Sequence, residues 1–243
     1  MRALLIALPV IALYVALAAV TFVPLTWIIR DIRPIYWVAR QGCRLALALA
    51  GVRVRFVNLE NTRKHRVSIF VSNHVSNLEP PALLAVLPRI AFILKKELRR
   101  IPLLGYIMGL GSFIYVDRTR ADSRHHALEQ AKQTLADGVS LMIFPEGTRS
   151  RDGQANRPGR GAAFVARRAG VPLVPVALRG TFALWPATRF LPRLRAPGGL
   201  GIRFLEPLDP AAFPDDAALI EEAMRQVYEA LGQEPFRERA PQV

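Results

Sequence analysis

Leu141-Met142-Ile143-Phe144-Pro145-Glu146-Gly147-Thr148-Arg149-Ser150 sets a short apolar run directly before a turn that carries a carboxylate, a glycine, a hydroxyl and a guanidinium. Residues 141–144 have the length and apolar continuity of a strand buried on both faces, and Pro145 and Gly147 end it. Backbone N–H groups near Gly147 can approach an anion closely because glycine has no side chain, and Arg149 can clamp two phosphate oxygens at once. An ordinary surface turn with a solvated arginine is the plainer alternative. The order Pro, Glu, Gly, Thr, Arg favours a functional turn over a bland one.

Short runs of the same kind recur at residues 67–71, 90–94, 113–116, 173–178 and 202–205. Helical patterns lie between them, at 122–135 before Gly138, at 161–169 before Gly170 and at 216–231 before Gly232, with a shorter candidate at 80–87. This alternation predicts an α/β fold: a single domain with a mostly buried mixed sheet flanked by helices, preceded by an N-terminal membrane-embedded helical segment. No internal repeat is visible. The Pro- and Arg-rich stretch 185–199 reads as a surface loop and 234–243 as a loose tail.

The 243 residues suffice for one sizeable core, or for one domain plus an anchor. Hydrophobic residues make up 51% and charged residues 21%, and the mean hydropathy is +0.21, a balance that fits an anchored globular domain. Residues 3–29 carry no charge, a run longer than the roughly 20 residues that cross a bilayer core as a helix. A cleaved signal peptide is the alternative, but its apolar part is usually about 7–15 residues long and ends at small residues; this run ends in Trp27-Ile28-Ile29-Arg30. Pro9 and Pro24 are expected to kink or terminate a helix, and a second apolar segment follows at 45–50, so a spanning helix and a re-entrant hairpin are both open. Arg30, Arg33, Arg40, Arg44, Arg53 and Arg55 follow the run and only Arg2 precedes it, an excess that favours the cytoplasmic face of the inner membrane for the remainder. The expected organisation is membrane-anchoring helices over 1–50, an α/β domain over 51–233 and a tail over 234–243. The net charge of +14 favours anionic partners. The expectation is no nucleic-acid partner: the aromatics do not interleave with the basic residues as a stacking platform requires, and nucleic-acid binding leaves the N-terminal apolar run unexplained. Cys43 is the single cysteine, so neither an intrachain disulfide nor a cysteine metal cluster can form, and it reads as a packing residue.

Asn73-His74 follows the 67–71 run and precedes the 80–87 helix, a strand-end position where α/β sheets place their sites. Glu79 stands five residues beyond His74, which on a regular helix puts the two about 140° apart, so they can meet only across a turn. Pro80 and Pro81 supply one and set Glu79 at the helix entrance. The structural alternatives are a capping box between Ser76 and Glu79 and a satisfied buried histidine; the missing N–H of Pro80 weakens the capping box.

Four blocks in order make the chain resemble the lysophosphatidic acid acyltransferases, the 1-acyl-sn-glycerol-3-phosphate acyltransferases of the glycerolipid acyltransferase superfamily. Asn73-His74-Val75-Ser76-Asn77-Leu78-Glu79 is similar to NHxSxxD. Lys95-Lys96-Glu97-Leu98 through Ile101-Pro102 to Phe113-Ile114-Tyr115-Val116-Asp117-Arg118 is similar to the KKEL, IP and FIxR-type segment. Residues 144–150 match FPEGTRS, and Val171-Pro172-Leu173-Val174-Pro175-Val176 is similar to VPIVPV. Two departures stand out: Glu79 replaces the usual Asp, and Gly159-Arg160-Gly161 stands where many members have a Lys-Gly pair. The resemblance implies that His74 acts as general base with Glu79 orienting it. It implies that Lys96, Arg118 and Arg149 hold the acceptor phosphate in a pocket shaped by Glu146, Gly147 and Thr148. It further implies lysophosphatidic acid and membrane lipids as partners, acyl-CoA or acyl carrier protein as donor, and no metal or cofactor. The alternatives are another acceptor (glycerol 3-phosphate, a different lysophospholipid or an acylated amino-acid lipid) and a non-catalytic membrane-surface module.

Overall fold

The protein's structure, a computed structural model, describes residues 2–101, 104–117, 121–154, 156–189, 191–192 and 199–233. In chain order the elements are α1 (Arg2–Ile29), α2 (Arg33–Leu49), β1 (Val54–Val57), β2 (Ile69–Ser72), α3 (Glu79–Val86), β3 (Ile90–Lys95), α4 (Leu104–Leu110) and β4 (Ile114–Val116). They continue with α5 (Ala121–Ala136), β5 (Ser140–Ile143), α6 (Gly161–Ala169), β6 (Leu173–Arg179), α7 (Thr181–Leu184), β7 (Leu200–Phe204) and α8 (Asp216–Leu231). The fold is mixed α/β with seven strands among the described residues. Two compact units are built from it, Met1–Arg53 with Pro80–Leu141 and Val54–Glu79 with Met142–Val243.

In the first unit α1 runs unbroken through Pro9 and Pro24, where a kink or a stop was expected. Close to Pro24 the Thr26 hydroxyl donates back to the Phe22 carbonyl at 2.7 Å, the i−4 bond common for threonine in helices. Among the described residues α1 is the one helix long and apolar enough to cross a bilayer, and only 6% of its apolar window is buried, so it is not a core helix of this protein. A turn at Arg30 (φ 53°) sends the chain back as α2, which packs on α1. The Tyr14 hydroxyl donates to the Val38 carbonyl at 2.7 Å, and the Phe22 and Trp37 rings lie 6.1 Å apart. A Cβ on Gly42 would stand 2.6 Å from the Tyr14 ring, so the close approach of the two helices requires a glycine there. Deeper in this unit the Tyr36 hydroxyl donates to the Gly111 carbonyl at 2.5 Å, and β3 pairs with β4 in parallel.

The second unit holds a mixed sheet in the order β1-β7-β6-β2, with β5 beyond β2. β1 and β7 run parallel, as do β2 and β6, while β6 and β7 are antiparallel. All four residues of β2 are buried, as are six of the seven in β6, which is the uniform apolar run that a strand covered on both faces requires. Helix α8 covers β6 and β2 with Leu219, Ile220, Ala223, Met224, Val227 and Tyr228, and α6 packs beside it.

The strands expected at 67–71, 90–94, 113–116, 141–144, 173–178 and 202–205 all form within two residues of those bounds. β1 was not expected: its Val-Arg-Phe-Val is largely exposed and lies at the sheet edge, so it lacks the apolar run that marks a buried strand. Of the expected loop over 185–199, residues 190 and 193–198 lie outside the described residues, as does the tail over 234–243.

Replacing Gly42 by Leu is expected to destabilise the α1–α2 pair by about 1–3 kcal/mol through overpacking. Thermal unfolding in detergent micelles measures this, and the loss should shrink sharply in a Tyr14→Ala background.

Candidate active site

β2 ends at Ser72, and the next side chain takes over its pairing. The Asn73 carboxamide donates to the Leu178 carbonyl at 3.0 Å and accepts from the Leu178 N–H at 2.9 Å, so a side chain mimics the backbone ladder toward β6. The main chain is thereby released to turn outward at His74. Ser76 fixes the loop that follows: its hydroxyl donates to the Trp185 carbonyl at 2.6 Å and accepts from the Leu78 N–H at 3.0 Å.

Glu79, the first residue of α3, has no exposed surface. One oxygen, Oε2, lies 2.6 Å from His74 Nδ1. The other, Oε1, accepts from the Val75 N–H at 2.9 Å and from the Thr181 hydroxyl at 3.0 Å. The carboxylate is committed to His74 and to the N–H of Val75, whereas a capping box would use the N–H of Ser76. An ionised carboxylate only accepts, so the network assigns the imidazole proton to Nδ1 and leaves the lone pair on Nε2. The His74 ring stacks on Phe144 at 3.9 Å between centroids and 15° between planes, and 16% of the side chain is exposed. A neutral imidazole with its lone pair on Nε2 and a carboxylate behind Nδ1 is the arrangement of an oriented general base.

The turn after β5 holds the backbone of the same histidine. Glu146 Oε1 accepts from the His74 N–H at 2.9 Å, and the Ser150 N–H donates to the His74 carbonyl at 2.8 Å. Gly147 closes the turn with φ 70°, in the left-handed region that suits glycine, and its N–H donates to the Phe144 carbonyl at 3.1 Å. Thr148 and Arg149 are exposed, and no hydrogen bond or ion pair engages either side chain among the described residues. Lys96 belongs to the first unit, where it ion-pairs with Asp117. Arg118 lies outside the described residues.

His74, Glu79, Glu146, Gly147, Thr148 and Arg149 therefore share one unit and are linked through the backbone of His74. Sequence reasoning missed Thr181, Asn73, Asn156 and Tyr228. Asn73 alone carried a signal, being next to the histidine in its block; the others are single polar residues whose partners only the tertiary fold decides.

The family model described as Acyltransferase matches residues 53–179, more than half of the chain. The chain belongs to the Acyltransferase family. The 1-acyl-sn-glycerol-3-phosphate acyltransferase of Pseudomonas aeruginosa is 31% identical over 191 residues, with 74% of each chain covered. The protein of the same name from Limnanthes douglasii is 30% identical over 167 residues, 68% of this chain and 58% of that one. A probable 1-acyl-sn-glycerol-3-phosphate acyltransferase of Mycoplasma pneumoniae is 34% identical, with 70% of this chain and 66% of that one covered. The match thus spans just under two thirds, or less, of the latter two relatives. The fold is that of the crystal structure of the 1-acyl-sn-glycerophosphate (LPA) acyltransferase PlsC of Thermotoga maritima, with a TM-score of 0.76, 26% identity and coverage of 96% of this chain and 98% of that one.

In this site burial perturbs the Glu146 carboxylate. Burial pushes its pKa up from 4.5 to about 7, against the opposing effect of donors from His74, Asn156 and Tyr228. A raised folded-state pKa favours folding fully below pH 4.5, and that contribution is lost as the pH rises through about 7. Its size is on the order of 3 kcal/mol at about 1.4 kcal/mol per pH unit. Glu146→Gln is expected to flatten the fall in thermal midpoint between pH 5 and pH 8, leaving a constant offset because one amide donor then faces the Asn156 N–H. Melting curves of both proteins across that range give the difference profile that checks it.

Proposed function

We propose that this chain is a membrane-bound acyltransferase that moves a fatty acyl group from a thioester donor to the free hydroxyl of lysophosphatidic acid, giving phosphatidic acid. The observation that carries the reading is the His74 Nδ1 to Glu79 Oε2 contact of 2.6 Å, held against a turn whose Arg149 is exposed. The names of the Pseudomonas and Limnanthes relatives supply the acceptor, and the four sequence blocks supply the alignment of roles.

His74 Nε2 takes the proton of the glycerol hydroxyl as its oxygen attacks the thioester carbonyl. The tetrahedral intermediate collapses by breaking the carbon–sulfur bond, and the imidazolium returns the proton to the departing thiolate. Glu79 holds the tautomer and stabilises the imidazolium through Nδ1–H. No residue of the protein is acylated. Arg149 neutralises the acceptor phosphate, a role that the resemblance of the sequence blocks also gives to Lys96 and Arg118, and Glu146, Gly147 and Thr148 shape the turn that presents Arg149. The donor is acyl-CoA or acyl carrier protein, and the positive charge of +14 suits an acidic carrier. Residues 1–50 anchor the chain, and residues 51–233 act on the cytoplasmic face of the inner membrane, in keeping with the exposed apolar side of α1 and the arginines that follow it.

The test is acyl transfer by purified protein in lipid micelles, with lysophosphatidic acid, glycerol 3-phosphate and lysophosphatidylcholine each offered with either donor. Phosphatidic acid formed from lysophosphatidic acid alone supports the reading. Product from a different acceptor would keep the chemistry and replace the substrate, and product from none would remove both. His74→Ala is expected to lower kcat by about 10²–10⁴-fold while leaving membrane binding intact. Arg149→Ala is expected to act on the KM for the phosphate-bearing acceptor, raising it about tenfold or more.

A further inference from the structure

We propose that Tyr228, on the distant helix α8, is a positioning residue for the reaction, holding the Glu146 carboxylate that fixes the backbone N–H of His74. The proposal deepens the reading of His74 as general base and rests on it.

Tyr228 has no exposed surface, and a buried phenol needs a polar partner for its hydroxyl. That hydroxyl lies 3.2 Å from Glu146 Oε1 and 3.4 Å from the Asn156 carbonyl. Glu146 Oε1 is the same oxygen that accepts the His74 N–H at 2.9 Å, and Oε2 accepts from the Asn156 N–H at 3.2 Å. Helix α8 is therefore connected to the general base through one carboxylate, across 82 residues from Tyr228 to Glu146.

The three groups accommodate either protonation state of Glu146. When Glu146 is ionised, the single phenol proton points at Oε1 and reinforces the acceptor of the His74 N–H. When Glu146 takes a proton it can donate to the phenol oxygen, and the phenol proton turns to the Asn156 carbonyl. Glu146 titrates near about pH 7, so both arrangements are reached in ordinary conditions. Through these hydrogen bonds Glu146 leads to two further titratable groups, the His74 ring, stacked on Phe144, and Glu79 beyond it. A phenylalanine would fill the same volume and pack α8 on β6 and β2 equally well, so only the hydroxyl distinguishes a positioning role from a packing one.

The experiment compares Tyr228→Phe with wild type as full-length protein in micelles, using lysophosphatidic acid and acyl-CoA. Loss of the hydroxyl is expected to lower kcat about three- to tenfold with KM unchanged within about twofold. The acid limb of the kcat profile should move to higher pH by about half a unit to one unit, because the ionised Glu146 loses a donor. In a Glu146→Gln background the same substitution should leave the acid limb in place. Hydrogen exchange at the His74 amide, read without substrate, should speed up by about tenfold or more in Tyr228→Phe. Unchanged kcat, acid limb and His74 exchange would overturn the proposal. So would a loss uniform across pH that tracks melting temperature while His74 exchange stays at its wild-type rate. If wild-type protein transfers no acyl group, the activity reading fails by itself, and the exchange measurement still decides the role of Tyr228.

Discussion

A carboxylate with none of its surface in water must be supplied with donors by the protein, because an uncompensated buried charge costs several kcal/mol or more. Glu79 is in that position, and its three donors come from three places: the His74 ring, the Val75 N–H at the end of the β2 loop, and the Thr181 hydroxyl at the start of α7. Much of the local architecture follows from gathering them. The Asn73 carboxamide ends the β2 ladder so that the chain can turn, and Ser76 pins that turn to the Trp185 backbone. Glu146 meets the same requirement from the other side of the histidine, with donors from His74, Asn156 and Tyr228. The imidazole is thus fixed through its ring by one buried carboxylate and through its backbone by another, with Phe144 against its face. Such fixing holds the imidazole in one orientation, as the general-base role proposed for His74 requires.

What could be read from the sequence follows what local chemistry controls. Strands β2, β5 and β6 are buried over most of their length and β3 over its first half, and their unbroken apolar runs mark them. Helices α6 and α8 stop where Gly170 and Gly232 take φ 63° and 70°, and a glycine after an apolar period is a local signal for that stop. β1 carries no such run because it is an edge strand with exposed Phe56 and Val57, and its existence depends on pairing with β7, about 145 residues downstream in the Val54 to Leu200 register. The unbroken passage of α1 through two prolines likewise departs from what propensity alone predicts.

The site divides in the same way. His74, Glu79 and the turn at 144–150 announce themselves as blocks of unusual composition, but the direction each side chain takes is a tertiary matter. The Glu146 carboxylate faces inward to a backbone N–H, while Thr148 and Arg149 face solvent two and three residues later. Gly147, at φ 70°, turns the chain between the two, and nothing in the residue types fixes which side is which. Tyr228 and Thr181 sit in segments patterned for packing, where one hydroxyl leaves the apolar period intact. Their partners lie 82 and 102 residues away, beyond the reach of any spacing argument.

Glu79 in place of the family's usual Asp is best understood through these contacts. Because Pro80 and Pro81 lack N–H groups, the first turn of α3 gives the carboxylate no donor immediately ahead of it, and the side chain reaches back to Val75 and His74. The extra methylene lets one oxygen serve the Val75 N–H and the Thr181 hydroxyl while the other reaches the imidazole at 2.6 Å. A shorter side chain on the same backbone would draw the carboxylate away from at least one of those donors, so an aspartate at this position requires the start of α3 to lie closer to the loop. Position 79 is therefore set in this chain by its contacts: the carboxylate stands behind the imidazole, and the length of the glutamate side chain lets it serve all three donors at once.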